Sequence, residues 1–298
     1  MNPRFLFAVA TIAILFSSCS TSKMAMRTLH SEIEQEIEGK KGTFAVAVKD
    51  LQTGKRLNIN DHVVYHAAST MKTPVMIEVY KQAAQGKLTL SDSLELKNDF
   101  RSIADGRNYS LDSADDSETD LYKHIGEKRT ISYLLYQMII VSSNFATNLI
   151  MQKVGPENVT ASMRELGAKN IQVLRGVEDS KAFEAGLNNT TTANDLLIIF
   201  EKIARGKTVS ADASASMVNI LLDQRFNEII PALLPANVRV AHKTGSIAHV
   251  RHDCGIVILP DGRQYVLVLL SKDWEDEKTA INTMANISLL VYKYVTSK

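Results

Sequence analysis

Strand-like segments fall only near the two ends of this 298-residue chain. "GTFAVAVKDLQTGKRLNIN" reads as two strands joined at Thr53-Gly54. "VRVAHKTGS", "DCGIVILP" and "QYVLVLLSK" read as three more, the last two joined at Asp261-Gly262. Everything between them has helical spacing or is polar loop. The two strand groups can pair into one antiparallel sheet. The end segments, with Leu29, Ile33 and Ile37 at helical spacing and "EKTAINTMANISLLVYKYV" behind the last strand, would cover one face of it. The expected fold is therefore α/β of the α+β sandwich type: a mostly antiparallel five-stranded sheet under its N- and C-terminal helices, with a second, all-helical lobe. The sheet lobe takes about 28–64 and 238–298, the helical lobe about 65–237, and a groove forms where they meet.

The first residues stand apart. "MNPRFLFAVATIAILFSSCS" has Arg4, an apolar run from Phe5 to Phe16, then small residues and Cys19. That pattern predicts a secretory signal over 1–19, too short for a spanning helix, followed by a tether over 20–27 and one domain over 28–298. The Cys after Ser17-Ser18 resembles a bacterial lipoprotein processing site, with Phe16 where Leu is usual. It implies a lipid anchor at Cys19 and an exported, periplasmic location. The chain's second cysteine, Cys254, sits in a strand and reads as a small buried hydrophobe, so no internal disulfide is expected if Cys19 carries lipid.

Composition narrows the function classes. Hydrophobic residues make up 45% and charged residues 22%, and 34 Lys+Arg against 33 Asp+Glu leave a formal charge of +1. No basic run or aromatic-rich basic face points to nucleic acid. "SLDSADDSETD" clusters carboxylates without the spacing of a calcium loop, and reads as a solvated loop.

Three short motifs carry the chemistry. Ser69 and Lys72 lie three apart where an extended stretch becomes a helix, so both face one way. A lysine desolvated there can act as base toward the serine. In "SSNFATN", Ser142 and Asn144 stand at a break between helices, where a hydroxyl can relay a proton and an amide can hold a carbonyl. In "HKTGS", Gly245 lets a ligand lie against the strand, Thr244 and Ser246 can bind a carboxylate, and Lys243 supplies positive potential. Each is weak alone; Ser-x-x-Lys arises by chance roughly once in a chain this long. Capping is the plainer reading of both serines.

Together, in this order, the motifs resemble those of class A β-lactamases and the penicillin-recognising serine hydrolases. "STMK", "SSNFATN", "TTTAND", "HKTGS" and "LPDGR" all fall in family order. The resemblance implies a monomeric, metal-free and cofactor-free enzyme that hydrolyses a cyclic amide through a Ser69 acyl-enzyme. The substrate would be a β-lactam or a peptidoglycan-like small molecule. D-alanyl-D-alanine peptidase, another amide or ester hydrolase on the same fold, and a silent envelope binding protein are the alternatives. Lys72 would help deprotonate Ser69, Ser142 would protonate the leaving nitrogen, and Asn144 would orient the substrate side chain. Lys243 and Thr244, with Gly245 and Ser246 alongside, would hold its carboxylate. The Ser69 N–H would form half of the oxyanion hole, with Ser246 or Ile247 supplying the other half.

The chain departs from the family pattern in three places. Ser143 replaces the usual Asp. The family's strand arginine is out of register, with Arg251 near enough to substitute; His252 reads as a packing or supporting residue. The deacylating Glu of the Ω-loop is ambiguous in "VLRGVEDSKAFEAGLNNTTT". Counting from Leu166-Gly167 places Arg175 and selects Glu178. Matching Glu-x-x-Leu-Asn selects Glu184, followed by Leu187-Asn188. Glu178 is the assignment adopted; pairing of Glu178 and Asp179 with Arg175 to close the loop is the alternative role.

If Cys19 carries lipid, Cys19→Ala should move the protein from the membrane to the soluble fraction, or block its processing, on fractionation of expressing cells. Unchanged membrane association would refute the anchor.

Overall fold

The computed structural model describes residues 26–297, so Cys19 and the expected signal lie outside the described residues. A helix, α1 (26–37), leads into β1 (Thr43–Asp50) and β2 (Arg56–Ile59). The helical section then runs β3 (Tyr65–His66), a 3-10 turn over Ala68–Met71, α2 (Lys72–Ala84), β4 (Ser93–Glu95), β5 (Phe100–Arg101), β6 (Asn108–Tyr109) and β7 (Lys128–Thr130). It continues through α3 (Ile131–Ile140), α4 (Asn144–Val154), α5 (Pro156–Leu166), α6 (Ser180–Glu184), β8 (Thr190–Thr191), α7 (Ala193–Ala204) and α8 (Ala211–Leu222). The chain closes with β9 (Arg239–Ile247), β10 (Val250–Ile258), β11 (Gln264–Lys272) and α9 (Glu277–Thr296).

The strands nearest the chain ends share one five-stranded sheet, ordered β2-β1-β11-β10-β9, and its neighbours are antiparallel. Side chains alternate between faces along each strand. Phe44, Val46 and Val48 of β1 and Tyr265, Leu267 and Leu269 of β11 pack with Leu29 and Ile33 of α1 and Met284, Ile287 and Val291 of α9. Ala45 and Ala47, and Val266, Val268 and Leu270, face a second core with Met71, Leu134, Phe145, Leu197 and Phe200 of the helical lobe. Both faces are therefore covered, which is why "YVLVLLS" reads as an unbroken apolar run although the sheet is antiparallel. Cys254 is fully buried in this second core, as a small hydrophobe should be.

The lobe that sequence periodicity presents as helical throughout also carries three two-stranded ribbons, β3 with β8, β4 with β7 and β5 with β6. Strands of two or three residues are too short to leave a period in sequence. The β3–β8 ribbon pairs Tyr65 with Thr191 and His66 with Thr190. It thereby pins the chain entering the 3-10 turn to the end of the loop that carries Glu178. The edge strand β9 lies against that same turn. A Cβ on Gly245 would stand 3.1 Å from Thr70 Cγ2 and 3.2 Å from both Ala68 Cβ and Thr70 N, so glycine sets how close β9 comes.

Candidate active site

Ser69 sits inside the 3-10 turn and caps no helix: the N-cap of α2 is Met71, with no side-chain cap bond. Ala68, just before it, has φ of +44°, a left-handed conformation that costs a non-glycine residue energy. The turn is held by Thr70 Oγ1 donating to Ala67 O (2.6 Å) and by Ala67 N donating to Asn189 O (2.8 Å). Lys72 opens α2 and is wholly buried. Its Nζ donates to Ser142 O (2.7 Å), Ser142 Oγ (3.1 Å) and Asn144 Oδ1 (2.9 Å). No carboxylate lies within ion-pairing distance of it among the described residues. Burial, and next the cation of Lys243, push the Lys72 amine well below the ordinary lysine range, against the pull of Asp116 and Glu178.

The break between α3 and α4 places Ser142 between two lysines. Its φ is +57°, which turns carbonyl and hydroxyl toward the site. Lys243 Nζ donates to the same Ser142 Oγ (3.0 Å) and to Thr244 O (2.9 Å). Burial brings the Lys243 pKa down to about 7, with Cys254 and Asp253 opposing the fall. Ser143 does cap: its hydroxyl accepts from Ala146 N (3.2 Å) at the start of α4.

The acidic stretch read as a solvated loop needs correction at Asp116. That carboxylate is buried and accepts from Asn144 N (2.9 Å to each oxygen), Phe145 N (2.9 Å), Tyr122 OH (2.9 Å) and Glu118 N (3.2 Å). It supplies the negative charge that a helix N-terminus favours, and it fixes the backbone of Asn144. Among the described residues no group of acidic, His or Cys side chains is arranged to hold a metal.

Glu178 hydrogen-bonds to this centre, whereas Glu184 borders the adjoining cleft without a hydrogen bond to it. Asn144 Nδ2 donates to Glu178 Oε1 (3.2 Å) while Asn144 Oδ1 accepts from Lys72, so one amide bridges amine and carboxylate. Glu178 has φ of +59° and is exposed to the groove. Desolvation by the groove walls, then the charge of Asp115, raises its carboxyl above the usual range, against the pull of Lys72. The residue before it is clamped: Val177 N donates to Asn148 Oδ1 (2.7 Å), and Asn148 Nδ2 donates to Val177 O (3.0 Å). A Cβ on Gly176 would stand 2.2 Å from Asn148 Oδ1, so this clamp demands glycine.

Arg175 does not ion-pair with either acidic neighbour. Its guanidinium closes the loop through Leu187 O (2.9 Å), Gly176 O (3.1 Å) and Asn188 Oδ1 (3.1 Å). Asp179 instead accepts from Ser102 Oγ (2.8 Å) and Ile103 N (3.0 Å) and caps α6 through Ala182 N (3.1 Å). Arg251 lines the groove, but its guanidinium is bound to Glu277 of α9. His252 is buried, its Nε2 2.9 Å from His66 O, and supports the turn from below.

Two adjoining clefts, of about 370 and 330 Å³, share Ser69, Asn144, Glu178 and Ser246. The first runs past Ser142, Thr244 and Arg251 and the second past His66, Phe183 and Ile247. All three motifs thus meet in one groove between sheet and helical lobe. A model of the beta-lactamase enzyme family matches residues 28–295. The chain belongs to the beta-lactamase enzyme family. It is 25% identical to the extended-spectrum β-lactamase PER-1 of Pseudomonas aeruginosa over 310 aligned positions, covering 98% of this chain and 94% of that protein. The crystal structure of the TLA-1 extended-spectrum β-lactamase superposes with a TM-score of 0.79 at 23% identity, over 91% of this chain and 99% of that one. The structure of PBP-A gives 0.77 at 25% identity, over 91% and 97%. This β-lactamase fold brings Ser69 with Lys72, Ser142 with Asn144, Glu178, and Lys243 together from four separate pieces of chain around one groove.

Sequence reading missed Asp116 and Asn148. Asn148 closes the quoted "SSNFATN" motif, but only its distance from Val177 gives it a role. Asp116→Ala should strand the first amides of α4 and lower stability by about 1–3 kcal/mol. Urea titration by circular dichroism measures this; an unchanged midpoint would show that the cap contributes nothing.

Proposed function

We propose that this chain is a serine β-lactamase whose nucleophile is Ser69 and whose deacylating base is Glu178. The single observation that carries the reading is the amide bridge at Asn144, which holds the Lys72 amine and the Glu178 carboxylate on either side of one substrate position. Family membership and the intact motifs support it.

In acylation, the neutral Lys72 amine takes the Ser69 proton as Oγ attacks the lactam carbonyl. The N–H groups of Ser69 and Ser246 receive the oxyanion; Ser246 is preferred to Ile247 because it borders both clefts beside Ser69. The C–N bond then breaks. Ser142 Oγ gives its proton to the leaving nitrogen and regains one from the Lys72 ammonium, 3.1 Å away. Lys243 and Thr244 hold the substrate carboxylate, and the Lys243 charge also helps keep Lys72 unprotonated. In deacylation, Glu178 takes a proton from water as the water oxygen attacks the ester carbonyl. Ser69 Oγ leaves and takes up the proton that Glu178 accepted, so both groups return to their starting states. We further propose that the enzyme is exported and works at the cell envelope as a lipid-anchored monomer, the reading suggested by the Cys19 segment.

Two experiments test the assignment. Incubated with benzylpenicillin and followed by intact-mass spectrometry, Ser69→Ala should form no adduct. Glu178→Gln should acylate quickly, then deacylate slower by roughly two to four powers of ten, with a burst in the kinetics. Glu184→Gln should match wild type. Turnover by Glu178→Gln at the wild-type rate would overturn the base; a wild type that itself stalls as the adduct would mark a penicillin-binding peptidase.

The charge of Lys243 gives a pH test. Its amine is cationic below about pH 7 and loses that charge as pH rises through this value. KM for an anionic penicillin should therefore climb above pH 7, toward tenfold per unit, while KM for the neutral methyl ester stays flat. Parallel curves for acid and ester would remove Lys243 from carboxylate binding.

A further inference from the structure

The residues lining the two clefts sort the two ends of a substrate. Ser69 and Ser246 belong to both clefts. Thr244, which with Lys243 takes the carboxylate, lines the first and not the second. A substrate acylated on Ser69 with its carboxylate there sends its other end, the acyl side chain, into the second cleft. Phe183 of α6 lines that cleft together with Val177, Ile247 and Ala248. Phe183 is 52% exposed. A lone exposed apolar side chain is ordinary on a protein surface, but this one is held in place. Its N–H donates to Asp179 O (3.0 Å) and its carbonyl accepts from Gly186 N (3.0 Å). The neighbouring Ala182 is fully buried and anchors α6. The Phe183 ring rests against His66, with centroids 5.9 Å apart and planes at 64°. His66 is fixed in turn: its Nδ1 accepts from Ala68 N (3.0 Å) and its backbone pairs with Thr190. What His66 leaves uncovered of Phe183 lines the space that Ser69 also borders.

Apolar surface held in water gains free energy when an apolar group covers it, and two aromatic rings add a preference for stacked or edge-to-face contact. Because the ring is already fixed, little ordering of the protein has to be offset on binding. We propose that Phe183 is a specificity-determining residue whose exposed ring packs against an uncharged aryl group on the acyl side chain of the substrate. The proposal rests on the reading of Ser69 as nucleophile, because the cleft is on the substrate's path only if Ser69 is acylated. An uncharged group fits better than an anion, since the Glu178 and Glu184 carboxylates border the same cleft. The Arg175 guanidinium, which also borders it, turns its N–H groups to Leu187, Gly176 and Asn188 of its own loop. An arylacetamido side chain is the chemical class implied.

The test compares two penicillins that differ by one ring: benzylpenicillin, with its phenylacetamido side chain, and the penicillin whose side chain is a plain acetamido group. The readout is the ratio of their kcat/KM values, which covers binding and acylation and leaves out any change in deacylation. The wild type should favour benzylpenicillin. Phe183→Ala should lower the ratio about fivefold. Phe183→Tyr keeps the ring and should leave the ratio as in the wild type. Should the Ala variant fail to fold, Phe183→Leu carries the test: it keeps an apolar contact for His66, lacks the ring and should lower the ratio about threefold. A loop merely loosened by the substitution would slow both penicillins alike. An unchanged ratio in the variant lacking the ring therefore overturns the proposal even if both rates fall. A wild type without preference for benzylpenicillin, or a Tyr variant as poor as the Ala variant, overturns it too. Absence of any Ser69 adduct in the wild type would instead overturn the nucleophile, and this proposal with it.

Discussion

The dependence of the site on one buried amine explains most of its surroundings. Lys72 is removed from water, held by neutral oxygens, and set at the N-terminal end of α2, where the helix field also disfavours a cation. A lysine in that position gives up its proton readily, which is what a base toward Ser69 requires. The same position would be unsuitable for a permanent charge. Lys243, the second lysine on Ser142 Oγ, adds its charge to burial in lowering the Lys72 amine. Two ammonium groups on one hydroxyl oxygen would repel.

That arrangement needs a rigid Ser142–Asn144 break, and the rigidity has an unexpected source. Where the family resemblance leads one to look for an aspartate, Ser143 uses its hydroxyl only to cap α4. The carboxylate comes from Asp116, on a different segment, and takes both the Asn144 and Phe145 amides. The charge at the helix N-terminus is thus kept although the residue in the motif has changed. Tyr122 donates to Asp116 and packs its ring 4.8 Å from that of Phe145, so the loop and α4 are joined by both a polar and an apolar contact.

The sheet and the three motifs were legible in the sequence because each is local: alternation along a strand, a hydroxyl and an amine one turn apart, a glycine on a strand. Asp116 was not. Its role depends on meeting amides 28 and 29 residues away, and "SLDSADDSETD" gives no sign that one of its carboxylates turns inward. The two-residue ribbon at Tyr65–His66 was invisible for a related reason, since its partner at Thr190–Thr191 follows the whole of the Glu178 loop.

Glu178 and Glu184 occupy different places in the loop, for reasons that lie outside its letters. Glu184-x-x-Leu187-Asn188 repeats the family's spelling, but Leu187 and Asn188 serve here as acceptors for Arg175 and hold the far end of the loop. With that end fixed, the position of the carboxylate is set from the other side. Asn148 grips both polar groups of the Val177 backbone, Gly176 leaves room for it, and the chain then turns through a left-handed residue. Glu178 occupies that turn at an energetic cost that the clamp sustains. The result is a carboxylate aimed at Asn144 by backbone constraints on its neighbours, which is a geometry that sequence spacing alone does not encode.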